Sequence, residues 1–407
     1  MTHPTPDFDV HDATVRVVNL RNLRRVDWMM PIFILSLAVV GWLTVYSATR
    51  STDPFKFQKM IFHFLLGAGV AVLIIATDYR FLVAIAPVLY AGAIALLVGV
   101  LATGTITKGS ERWLVWGPFR LQPSEIAKLT VVYALTWYFT TLGHRIRKLH
   151  WFLLTFLIAG LPIILILKQP NLGTAACLVP LVFVMLYVAG CRLLHLALIV
   201  LMGLSLIPAV WWEMKDFDPN DKTQNPAFAG AQKASPKPFY ELRYHQKRRI
   251  YTFLNPGSDL KDSGWQTYQS QITVGSGGLF GKGYLKGTQT RLNYLPEHDT
   301  DFIFSVLAEE RGFFGALVVV GLFAAFLLRG FMFARDCPEM MGTLLATGTV
   351  TILAFHVFVN IAITIGLMPV TGIPLPFLSY GGSFYLTTMA CVGVLLNVPM
   401  RQRVFVY

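Results

Sequence analysis

The residue best placed to move a proton is Asp301, which follows Leu295-Pro296-Glu297-His298-Asp299-Thr300 and leads directly into the apolar stretch Phe302-Ile303-Phe304. A carboxylate partly shielded from water at such a lip can have a raised pKa and accept a proton from a hydroxyl. The same position also suits an N-cap, which Asp performs well. Asp299-Thr300-Asp301 spells D-x-D, but three residues are poor evidence for a metal or nucleotide-sugar site.

Five further clusters carry polar chemistry next to apolar runs. In Gln122-Pro123-Ser124-Glu125-Ile126-Ala127-Lys128, preceded by Glu111-Arg112-Trp113, the acid and the lysine are three apart on one helical face and able to pair. That pair either orients a helix end or lines a cavity open to the outside. Lys168-Gln169-Pro170-Asn171-Leu172-Gly173-Thr174 is a turn whose lysine either snorkels or holds a phosphate. The glycines around Gly277 and Lys282, from Gly275 to Gly287, let backbone N–H groups approach an anion or another backbone. No nucleotide fingerprint accompanies them. Three prolines in Met368-Pro369-Val370-Thr371-Gly372-Ile373-Pro374-Leu375-Pro376-Phe377-Leu378-Ser379-Tyr380-Gly381-Gly382-Ser383 forbid regular helix and predict a re-entrant segment beside the site. Glu309, Glu310 and Arg311 predict a charge network roughly 12–15 Å below Asp301, at 1.5 Å per helical residue.

The elements that must position these groups are membrane helices. Of 407 residues, 55% are hydrophobic and 14% charged, which disfavours a soluble domain. Apolar runs at 27–49, 58–77, 80–103, 122–142, 150–168, 173–190, 193–213, 302–329, 341–367 and 376–398 are each long enough to cross hydrocarbon as helix. The expected class is therefore an all-α polytopic membrane protein of about ten transmembrane helices. Residues 1–26 form a polar tail without a cleavable signal pattern, and 27–407 a single transmembrane domain. The four cysteines, Cys177, Cys191, Cys337 and Cys391, fall in spans or inner connections, so no disulfide is expected in the outer loop.

A net charge of +12 would suggest nucleic acid in a soluble chain, yet here it sorts by topology. With both termini cytoplasmic, Arg80, Arg145, Arg147, Lys148, Arg192, Arg329, Arg335, Arg401 and Arg403 all fall inside, as the positive-inside rule wants. No nucleic-acid partner is expected. The large loop 214–300, between the seventh and eighth helices, falls outside and holds Lys247, Arg248 and Arg249.

QPSEIAK, LPEHDTDFIFSVLAEERG and GLMPVTGIPLPFLSYGGS, in this order over ten spans, resemble the SEDS (shape, elongation, division, sporulation) family of peptidoglycan glycosyltransferases. Within it, Pro369 to Phe377 is closer to the elongation-type RodA pattern than to the division-type FtsW pattern. The resemblance implies polymerisation of lipid II by β-1,4 transfer with inversion, on the outer face of the bacterial cytoplasmic membrane, releasing undecaprenyl diphosphate. It makes Asp301 the candidate base and carries Arg112, Trp113, Gln122, Ser124, Glu125, Lys128 and Ser379-Tyr380-Gly381 over as substrate-site residues. Lys168, Gly277 and Lys282 join them as candidate substrate contacts, and a divalent cation, Mg2+ or Mn2+, could share the neutralisation of the diphosphate. A class B penicillin-binding protein transpeptidase is the implied partner. The alternatives are a lipid II transporter and a septal polymerase. Two departures stand out: Asn171 replaces a common aspartate, and Asp299 replaces a common histidine.

Overall fold

The computed structural model describes residues 26–401 except 104, 108–109, 117–118, 206, 216, 218–243, 256–262, 293 and 296. The N-terminal tail through residue 25, the Pro- and Ala-rich stretch 219–238 and Arg403 lie outside the described residues. The helices are α1 (Met29–Thr49), α2 (Phe55–Ala76), α3 (Tyr79–Ala84), α4 (Ala86–Thr103), α5 (Pro123–Leu142), α6 (Leu149–Lys168), α7 (Leu172–Val188), α8 (Leu193–Leu204), α9 (Ile207–Lys215), α10 (Tyr244–Leu254), α11 (Ser263–Ser276), α12 (Thr288–Arg291), α13 (Ile303–Arg335), α14 (Met340–Thr364) and α15 (Gly382–Met400). Six of them, α1, α2, α6, α13, α14 and α15, are long and apolar enough to cross a membrane, and α4, α7 and α8 are shorter apolar helices.

Burial separates centre from shell. The apolar windows of α14 and α15 are 78% and 89% buried, against 17% for α2, so the first two form the core and α2 offers most of its surface to lipid. Small residues let α2 lie against α15: a Cβ on Gly67 would meet Met389, and one on Gly393 would stand 2.9 Å from the Ala71 carbonyl oxygen. One end of the bundle is tied by ion pairs between helix termini, Arg329 with Asp27, Arg80 with Glu339 and Arg401 with Asp78.

Three expected spans take a different form. Run 80–103 divides into α3 and α4 just before Pro87, which cannot donate to the helical ladder, and 193–213 divides into α8 and α9 before Pro208. The connection before α5 is a three-stranded antiparallel meander, β1 (Thr105–Thr107), β2 (Ser110–Trp116) and β3 (Phe119–Leu121), which the all-helical expectation did not contain.

The eighth run breaks at Gly312, whose φ of 67° is outside the helical region. Residues 302–310 are buried on every side, whereas Phe313, Phe314, Leu317 and Val318 beyond the break are exposed and apolar. The lipid-facing part thus starts about one helical turn past Glu309, and Glu309 and Glu310 stand in a protein-enclosed layer rather than deep in the bundle. The glycine-rich stretch fills the break. Lys282 and Gly283 donate their N–H groups to the carbonyls of Glu309 and Glu310, while Phe313 and Phe314 donate to those of Gly278 and Leu279. Backbone groups freed by the kink are satisfied by another backbone, as apolar surroundings require.

This clasp explains two of the glycines. A Cβ on Gly277 would lie 2.1 Å from the Ala308 carbonyl oxygen, and one on Gly281, at φ 81°, 2.2 Å from that of Glu310. Gly281→Ala is therefore expected to destabilise the protein by about 2 kcal/mol or more, through left-handed strain plus overpacking. Gly321→Ala, at a position with nothing within 4 Å, is the matched control. Thermal unfolding in detergent checks the pair, and equal midpoints would refute the packing role.

Candidate active site

The turn before α13 is held by its backbone. The carbonyls of three successive residues each accept one hydrogen bond from a different donor: Asp299 from Tyr380 N (2.9 Å), Thr300 from Ser379 Oγ (2.6 Å) and Asp301 from Asn360 Nδ2 (2.9 Å). Phe302, fully buried with Leu295, Val359, Ile363 and Ile373, pins the turn to α14. The N-cap position of α13 is Phe302, which supplies no side-chain cap, so Asp301 stands one residue outside the helix. Its carboxylate lies beside Gly372, 3.6 Å from where a Cβ would be.

The segment between α14 and α15 is non-helical, as its prolines predict, with Leu375, Phe377, Leu378 and Ser379 fully buried. Its carbonyls find side-chain donors: Asn360 serves Ile373 (2.7 Å), Tyr385 serves Phe377 (3.2 Å), and His356 Nδ1 stands 3.1 Å from Pro374 O. Because that oxygen only accepts, His356 carries its proton on Nδ1 and presents a lone pair at Nε2.

That lone pair faces Lys128. The ammonium is 2.6 Å from His356 Nε2, 2.9 Å from Glu125 Oε2 and 5.7 Å from the Phe384 ring centroid. The expected pairing of Glu125 with Lys128 is present, but the side chains are 4% and 1% exposed, so they do not line a cavity open to the outside. Through His356, Lys128 is joined to the Pro374 carbonyl of the segment between α14 and α15. His356 and Asn360 escaped the sequence reading; a histidine within an apolar span was the available signal.

The remaining candidates divide. Ser124 accepts from Asn171 Nδ2 at 3.2 Å, and Asn171 Oδ1 caps α7 through Thr174 N. Asparagine can donate to Ser124 where an ionised aspartate could only accept. Gln122 N donates to Ser383 Oγ, joining the start of α5 to α15. Ser379 and Tyr380 hold the turn, with Gly381 next in the chain before α15. Arg112 and Trp113 lie on β2; Trp113 is half-buried, and the Arg112 side chain lies outside the described residues. Lys168 is exposed in the last turn of α6.

Gly277 and Lys282 belong to the clasp. The Lys282 ammonium is 2.7 Å from Glu309, which also accepts from Thr288 and Gln289, so its charge is engaged within the fold. Glu310 accepts from Ser47 and from Leu285 N, which gives the expected charge network its actual partners.

A shallow cleft opens between α10, α11 and the segment joining α14 to α15, lined by Arg249, Thr252, Phe253, Thr267, Pro369 and Val370. Burial pulls the Arg249 guanidinium below its usual pKa, and the Asp301 carboxylate opposes that pull. The Asp301 carboxylate is therefore within electrostatic reach of the Arg249 cation that lines the cleft. A proton acceptor beside a permanent positive charge suits transfer of a group from an anionic leaving group.

The chain is similar to known proteins in sequence and in fold. Residues 27–404 match the FtsW, RodA and SpoVE family of cell cycle proteins. The peptidoglycan glycosyltransferase MrdB of Escherichia coli (strain K12) is 33% identical over 379 residues, covering 93% of this chain and 94% of that protein. Stage V sporulation protein E of Bacillus subtilis (strain 168) is 35% identical over 387 residues, covering 93% and 98%. A chain from a solved peptidoglycan synthase complex that coordinates polymerization and crosslinking superposes with a TM-score of 0.75 at 31% identity, covering 93% and 98%. The rod shape determining protein RodA of Thermus thermophilus does so with 0.65 at 28% identity, covering 93% and 97%. With nearly its whole length matched in sequence and in fold, this chain belongs to the FtsW, RodA and SpoVE family of multi-pass membrane proteins.

Proposed function

We propose that this glycosyltransferase polymerises lipid II into glycan strands at the outer face of the bacterial cytoplasmic membrane, with Asp301 as the general base. The observation that carries the reading is the clamped turn, which holds the Asp301 carboxylate beside Gly372 and within electrostatic reach of Arg249. In the proposed step the acceptor's sugar hydroxyl attacks C1 of the donor, and its proton passes to Asp301. The new O–C1 bond forms as the bond from C1 to the diphosphate breaks with inversion. Undecaprenyl diphosphate leaves with the electron pair, and a cation near the departing oxygen lowers the barrier.

The orientation follows from sorting the basic residues, since the pairs of Arg80, Arg329 and Arg401 lie at the end opposite the site. Among the described residues no three His, Cys, Asp or Glu side chains converge to hold a metal. A Mg2+ or Mn2+ ion bound to the diphosphate would share the neutralisation of its charge, since Mg2+ commonly binds through substrate phosphates. The partner is a class B penicillin-binding protein transpeptidase, supported by the complex that contains a similar chain. A role in elongation is supported by the 369–377 segment and by the likeness to a rod shape determining protein.

The test is to incubate the purified chain, with and without its cognate transpeptidase, with lipid II, and to size the products. Glycan strands are expected. No polymer in either mixture, from protein that binds lipid II, would overturn the reading and leave transport as the better one.

A further inference from the structure

Asp299, two residues before the candidate base, is buried, and its carboxylate lies 2.6 Å from the ammonium of Lys56 in the first turn of α2. The lysine is 30% exposed and the aspartate 9%, so the pair is shielded but not sealed. The same ammonium stands 5.8 Å from the centroid of the Tyr380 ring, and the Tyr380 N–H donates to the Asp299 carbonyl. Lys56 therefore grips both strands of the contact that frames the catalytic turn. Asp299 is also one of the two positions where this chain departs from the residue its resemblance leads one to expect.

The three carbonyl bonds fix the turn from the side of α14 and the segment joining it to α15. None of them comes from α2, the least buried of the long helices. The Lys56 pair supplies that missing side. It also neutralises a carboxylate two residues from Asp301 that would otherwise repel an incoming diphosphate. We propose that Lys56 is a positioning residue that acts through Asp299 to hold Asp301 in its reactive place.

This rests on Asp301 being the base, and the test separates the two ideas. Lipid II polymerisation is measured for purified Lys56→Met, Asp299→Asn, the double variant, Lys56→Arg and the exchanged pair Lys56→Asp with Asp299→Lys. Each single neutral substitution is expected to lower kcat by about tenfold to a hundredfold with KM nearly unchanged, because a displacement on the order of 1 Å is that costly. The double variant should be no slower than the worse single, and Lys56→Arg should keep most of the rate.

A raised KM with kcat retained in Lys56→Met would overturn the proposal in favour of direct substrate binding. So would losses that multiply in the double variant, or losses in Lys56→Arg and the exchanged pair that merely track a lowered thermal midpoint. Full activity of Lys56→Met beside an inactive Asp301→Asn would remove the positioning role alone. Activity of Asp301→Asn would remove the base reading itself.

Discussion

Asp301→Asn is expected to lower the rate of lipid II polymerisation by about 10²- to 10⁴-fold, the usual worth of a positioned general base, while leaving KM and the thermal midpoint close to wild type. The amide keeps the size of the side chain, and the bond from Asn360 Nδ2 goes to the backbone carbonyl that asparagine retains. What is lost is proton acceptance. Asp301→Glu keeps the charge but moves it by one methylene at a place where the carboxylate already abuts Gly372, so partial activity is expected. Time courses with purified lipid II check both variants. A wild-type rate for Asp301→Asn would sink the assignment, and a rate lost together with the thermal midpoint would mean that the side chain serves the fold.

The helical class and the outline of the site were legible in the sequence for a simple reason. Apolar runs longer than the hydrocarbon is thick have few other uses, and an aspartate at the head of one is conspicuous. The pairing of Glu125 with Lys128 was legible because helical spacing alone brings them together. What escaped depends on contacts far apart in the chain. Lys56 meets Asp299 across 243 residues, and His356 meets Lys128 across 228, and neither is encoded in local spacing.

The glycine-rich stretch shows the same limit from another direction. Its composition allowed approach to an anion or to a backbone, and only the break at Gly312 reveals that backbone won. That break is itself hidden, because glycine within an apolar run does not announce a φ of 67°. The short strands of the meander, three to seven residues long, were likewise below what alternation can signal between two spans.

The second large effect is expected at Lys128. Lys128→Met keeps most of the side-chain volume but leaves the Glu125 carboxylate buried without its cation and His356 Nε2 without a donor. Breaking a buried pair from one side typically costs about 3–5 kcal/mol, so a marked fall in the thermal midpoint should accompany loss of activity. Combining it with Glu125→Gln removes both charges, and the midpoint should recover much of the way, because charge-free replacements of a buried pair are often close to neutral. Polymerisation should recover less, since the network that holds His356 against Pro374, next to Ile373, whose carbonyl accepts from the same Asn360 amide as that of Asp301, has still lost the ammonium that orders it. Thermal unfolding and polymerisation on the same four proteins decide between this view and a lysine that grips phosphate. A phosphate ligand would show a raised KM in Lys128→Met at an unchanged midpoint, and Glu125→Gln would restore nothing. A residue buried to 1% exposure between a carboxylate, an imidazole and a phenyl ring should instead show its loss first in stability.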